Sequence, residues 1–115
     1  KKLLKNGIKV NLYVDALIPE MVRNSDAVVI SADSILKDGS VVNKVGSLSL
    51  ALAARYYDKN FYVISLKSKK VNKLSYNSPI EDSKEVWKSE DTKLKVYNTY
   101  FEKVPANLIT KTITD

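Results

Sequence analysis

The sequence predicts an α/β fold in three layers, a parallel sheet with helices on both faces. Three observations predict it. Strand-like runs at Ile8–Val14, Ala27–Ile30 and Phe61–Leu66 alternate with stretches of helical pattern. The run Val28-Val29-Ile30 is apolar and β-branched throughout, the pattern of a strand covered on both faces. The links between these runs are short, as in sheets whose strands are joined by crossover helices.

Each element follows in order. Lys1–Asn6 carries Leu3 and Leu4 and reads as the tail of a helix, with Gly7 as its stop. Ile8–Val14 alternates apolar and polar and reads as the first strand. Asp15 is placed to cap the next helix, with Pro19 in its first turn and Ile18, Met21 and Val22 facing the sheet. Asn24-Ser25-Asp26 is a turn, and Ala27–Ile30 is the second strand. Asp33–Asn43 reads as a loop, punctuated by Asp38-Gly39. A helix runs from Val45 or Gly46 to about Tyr57, with apolar residues on more than one face. Phe61–Leu66 is the third strand. Lys67–Asp91 turns polar and reads as a surface excursion, with a short helix at Ser83–Trp87 and with Trp87 either pinning it to the body, the preferred reading, or marking a contact surface. Leu94–Tyr97 is a fourth strand, and Pro105–Thr110 a closing helix.

Composition narrows the function. A chain of 115 residues with 44% hydrophobic content suits one globular domain. It has no run of apolar residues long enough to span a bilayer. There is no cysteine and no histidine, so thiol and imidazole chemistry are excluded and a zinc site is not expected. No cofactor and no metal are expected, and the cytoplasm is the expected compartment. The net charge is +6, yet all of the 19 basic residues except Arg23 and Arg55 are lysine. Readers of phosphate backbone and bases favour arginine for its bidentate fork. A solvated lysine-rich surface is therefore expected rather than direct contact with nucleic acid.

Chemistry concentrates between Val28 and Ala54. Ligands of open α/β sheets bind outside the carboxyl ends of the strands. Asp33 follows such an end, where a carboxylate serves either as a general acid or base or as a simple turn or capping acid. Asn43-Lys44 and Gly46-Ser47 lie just before a helix. Backbone N–H groups, the lysine ammonium and the helix dipole there all favour a phosphate. Neither a Walker loop nor a G-x-G-x-x-G fingerprint is present, so the alternative of a solvated loop stays open. Lys67, Lys69, Lys70 and Lys73 follow the third strand. They either add positive charge at the same sheet edge or form a solvated loop.

The stretch S-A-D-S-I-L-K-D-G-S-V-V-N-K-V-G-S-L-S-L-A-L-A-A resembles a known signature, G-A-D-x-I-x-x-x-G-x-x-x-N-K-x-G-T-x-x-L-A-x-x-A. It belongs to the superfamily that joins the alpha, beta and delta subunits of translation initiation factor 2B with two sugar-phosphate isomerases. Those enzymes act on methylthioribose 1-phosphate and ribose 1,5-bisphosphate. Val96 to Asp115 resembles the closing N-x-x-F-D-x-T-P-x-x-x-I-x-x-I-I-T-E of the same superfamily, with Phe101, Pro105 and Ile109 in place. Val14-Asp15 and Phe61-Tyr62-Val63 also fit, and Lys67–Asp91 fits least.

The resemblance implies a Rossmann-like domain spanning residues 1–115, the C-terminal domain of a longer protein without its N-terminal helical domain. It implies that Asp33 corresponds to the catalytic aspartate of the isomerases and that Asn43 and Lys44 lie by the sugar phosphate. Gly46, Ser47 and Lys69 complete the expected phosphate-binding set. The isomerases also use a cysteine from an earlier segment, so the domain alone is expected to be inactive. Ser31 replaces a glycine, Ser47 a threonine, and Leu66 falls where many relatives place glutamate. These departures favour a regulatory subunit, bound to initiation factor 2 or related subunits, linked to guanine-nucleotide exchange and homodimeric through this domain. The sugar-phosphate-binding half of an aldose–ketose isomerase is the alternative, and a general phosphometabolite or nucleotide sensor a weaker third.

Overall fold

The computed structural model describes residues 1–115. Two three-stranded sheets carry the fold. The first is parallel. Its strands are β1 (Ala27–Ile30), β4 (Asn60–Ser65) and β6 (Lys111–Thr114), in the order β1-β4-β6. The second is antiparallel and consists of β2 (Ser34–Ile35), β3 (Val41–Lys44) and β5 (Phe101–Val104). Three helices accompany them, α1 (Lys2–Lys5), α2 (Ile18–Arg23) and α3 (Ser47–Tyr56). No helix is long and apolar enough to cross a membrane.

The α/β class and the parallel sheet follow the expectation. The helical layers need a closer description. Register places Val28 beside Phe61 and Ile30 beside Val63, so these side chains share one face. On that face Val28, Phe61 and Val63 are buried together with Ala51 and Ala54 of α3. Alanine at both positions lets the helix backbone lie close to the strands. Helix α2 packs in turn on α3, burying Val22. The opposite face carries Val29, Ile64 and Ile113, which are 56%, 52% and 43% exposed. Val28-Val29-Ile30 is therefore covered on one face of this chain, not on both.

Several expected elements are replaced. Ile8–Val14 is in no strand, and Leu12 in it is 96% exposed. Its alternation states a local preference, but no neighbouring strand hydrogen-bonds to it. Asp15 does not cap by its side chain; it opens a single 3-10 turn, Asp15–Leu17, ahead of α2. Asp33–Asn43 is no plain loop but mostly the β2–β3 hairpin. Asp38-Gly39 makes its turn, with Gly39 at φ +87 and Asp38 Oδ1 accepting from the Ser40 N–H at 3.0 Å. Hydrogen bonds from Ser40, its N–H foremost, and the nearby Lys103 ammonium hold the Asp38 carboxyl below its usual range.

Leu94–Tyr97 forms no strand, and β5 follows it instead. Pro105–Thr110 is a single 3-10 turn, Ala106–Leu108, leading into β6. In the excursion, Ser83–Glu85 makes one turn capped by Asp82. Trp87 does not pin it, being 65% exposed. The anchors are instead polar. Tyr100 Oη donates to Glu85 Oε2 at 2.5 Å, the Glu81 N–H to the Asn98 carbonyl at 2.6 Å, and Ser78 Oγ to the Phe101 carbonyl at 2.9 Å.

Candidate functional site

The junction of β3 and α3 is built from its hydrogen bonds. Strand β3 pairs with β5 so that Asn43 faces Glu102 and Lys44 faces Phe101. The chain then turns through Gly46, at φ +103, a left-handed conformation that glycine adopts without strain. Helix α3 starts immediately, with no capping side chain of its own and no acid in its first turn. Its free N–H groups need acceptors. Glu102 supplies one. Its Oε1 accepts from the Gly46 N–H at 2.8 Å and from the Leu48 N–H at 2.8 Å. The carboxylate also complements the positive end of the helix dipole.

The remaining side chains brace the turn. Ser47 is buried, and its hydroxyl donates to the Lys44 carbonyl at 2.7 Å. Asn43 Nδ2 donates to that same hydroxyl at 2.9 Å. The Lys44 ammonium lies 4.4 Å from the Phe101 ring centroid and 5.2 Å from that of Tyr100. Both are within cation–π range.

A cleft of about 310 Å³ opens here, lined by Asn43, Lys44, Gly46 and Ser47 and also by Asp15 and Ser31. The structure thus gathers four of the six expected site residues. Asp33 lies beyond the end of β1, exposed, and does not line this cleft. Its N–H donates to the Val42 carbonyl at 2.8 Å, tying it to the hairpin. Lys69 lines a different cleft of about 560 Å³ on the bare sheet face, with Ser65, Leu66 and Asp115. Ser31 borders both clefts.

The helix end expected to receive phosphate is already filled by Glu102. Sequence reasoning passed over this residue, whose partners lie 56 and 54 positions away. Two signals were available: α3 opens on glycine with no nearby acid and so calls for an outside acceptor, and Glu102 stands where the closing motif has aspartate.

The sequence pattern of the initiation factor 2 subunit family matches residues 1–115, the whole chain. The chain belongs to this family. Named relatives are close in sequence. Methylthioribose-1-phosphate isomerase of Heliobacterium modesticaldum is 35% identical, over 99% of this chain and 36% of that protein. Ribose 1,5-bisphosphate isomerase of Archaeoglobus fulgidus is 33% identical, over 100% of this chain and 39% of that protein. Among solved structures, translation initiation factor eIF-2B subunit delta from A. fulgidus superposes with a TM-score of 0.84 at 25% identity, covering 98% of this chain and 36% of the other. The family member described here spans somewhat over a third of the length of these relatives. Membership and the Rossmann-like α/β fold agree with the expectation drawn from the two motifs. The expected initiation-factor role gains no specific support from the sequence relatives, whose names favour the isomerase alternative.

Proposed function

We propose that this chain is the sugar-phosphate-binding part of an aldose–ketose isomerase of the methylthioribose 1-phosphate or ribose 1,5-bisphosphate type. The observation that carries the reading is sequence identity of 33–35% to two enzymes of those names, extending over essentially the whole chain. The cleft geometry is compatible with it. Asn43 offers an amide to sugar hydroxyls. The Lys44 ammonium rests only on ring faces and is free to turn to a phosphate. Asp33, past the carboxyl end of β1 and outside the lining of this cleft, is assigned to proton transfer in this reading by its motif position alone. Aldose-to-ketose conversion moves one proton from C2 to C1 of the sugar and the hydroxyl proton from O2 to O1; a carboxylate can carry one of the two, and the other needs a second acid–base group from outside this chain. Lys69, across Ser31, is the second cation available to a bisphosphate.

The chain contains no cysteine, so binding rather than turnover is the readout. Calorimetric titration with both sugar phosphates tests the reading. The expected outcome is saturable binding that Lys44→Ala weakens by roughly tenfold, the loss of about 1.4 kcal/mol of binding free energy. Asp33→Asn is expected to bind almost as the parent does, since a proton carrier need not hold the ligand. Absence of binding by either sugar phosphate refutes it. An assembly role as an initiation-factor subunit is the second reading, carried by the likeness to subunit delta.

A further inference from the structure

We propose that Glu102 determines the anion specificity of the cleft. Its carboxylate occupies the anion position at the start of α3, shuts phosphate out of it, and leaves a ligand's phosphate to Lys44. The proposal borrows from the proposed function only that the ligand is phosphorylated.

A helix N-terminus is a ready anion site because several backbone N–H groups converge there with the positive end of the dipole. Helix α3 runs for ten residues and has such an end. Two of its N–H groups, those of Gly46 and Leu48, converge on one oxygen, Glu102 Oε1. A phosphate seeking the same donors meets a carboxylate already charged and already hydrogen-bonded. It would have to displace that carboxylate or bind beside it against like-charge repulsion. The Ser47 hydroxyl offers no way around, since it is buried and already bonded to Asn43 and to the Lys44 carbonyl.

The same strand that closes this position prepares another. Glu102 sits opposite Asn43, and the adjacent pair sets Phe101 opposite Lys44. Phe101 and Tyr100 then hold the lysine ammonium on their faces, exposed and without a carboxylate partner. A cation held only by aromatic faces gives up little on moving to a phosphate. Strand β5 therefore decides which positive group is spent inside the protein and which is kept for a ligand.

The test uses inorganic phosphate and the ¹⁵N-labelled chain, followed by NMR, in the parent, Glu102→Gln and Glu102→Ala. In the parent the Gly46 and Leu48 amides should stay unshifted while phosphate is added. In the variants the same amides should shift and saturate, with affinity raised at least about tenfold by loss of the competing charge. Glu102→Gln keeps an oxygen acceptor of the same size and carries the comparison if Glu102→Ala does not fold. Equal response in parent and Glu102→Gln overturns the proposal. So does the absence of any response in a Glu102→Gln chain whose spectrum shows α3 intact. A parent chain that ignores sugar phosphates would sink the proposed function yet leave the Glu102 result standing. Sugar-phosphate binding with no gain in Glu102→Gln would do the reverse.

Discussion

Tyr100 joins the excursion to the site: its hydroxyl is held by Glu85 while its ring lies near the Lys44 ammonium. The bond to Glu85 pushes the Tyr100 phenol up to about 12. The sign follows from linkage. A folded pKa above the unfolded value means the neutral phenol is the form the fold favours. Its contribution is complete below the ordinary value of 10.0 and is lost as pH rises through about 12. Absorbance titration of the phenolate should show a step near that upper value, and Tyr100→Phe should remove it. Glu85→Gln should move the step back toward the ordinary tyrosine range. At Glu102 the expectation concerns stability. Alanine leaves two helix N–H groups without their acceptor and should cost roughly 1–3 kcal/mol in urea unfolding.

Helix α3 is the element on which the core depends, and its fit rests on small side chains. Ala51 and Ala54 are 0% and 1% exposed, against the strands. Leucine at either position overfills the contact and should destabilise by about 1–3 kcal/mol. Leu52→Ala, at a position 53% exposed, should change stability by less than about 1 kcal/mol by comparison. Denaturant midpoints compare the three directly. At this scale the sequence was informative where pattern and partner coincide. Strands β1 and β4 were legible because adjacent apolar runs in one sheet pair with each other. Helix α3 was legible from its Ala and Leu spacing and its opening glycine. Ile8–Val14 was misread because alternation reports a preference and not whether a partner strand is present. The hairpin was missed although Asp38-Gly39 marked its turn, because β2 is two residues long and too short to show a period. Glu102 was missed for another reason: the uncapped start of α3 called for an outside acceptor, but an acceptor more than 50 positions away is not identified by local pattern.

The whole molecule is more open than its length suggests. The radius of gyration is 16.4 Å, against about 13 Å for a compact domain of this size. Only 14 of 115 residues are buried, and ten of them form one core cluster that includes Ala51 and Ala54 of α3. The two faces of the parallel sheet should respond differently to mutation. Phe61→Ala, on the covered face, should cost about 3–5 kcal/mol. Ile64→Thr, three residues on and turned to the bare face, should fall within about 0.5 kcal/mol of the parent. Equal costs at the two positions would show that the face is covered after all.

The proposed function rests on likeness to the two isomerases, and the cleft that gathers Asn43, Lys44, Gly46 and Ser47 is compatible with it, with Asp33 apart from that cleft in space. The most direct measurement is residue-resolved NMR of the full 115-residue chain during titration with ribose 1,5-bisphosphate and with methylthioribose 1-phosphate. The account predicts saturable shifts centred on Asn43 and Lys44 and reaching Asp33, with one of the two ligands preferred. No saturable shift at these residues with either ligand, while the chain remains folded, would contradict it.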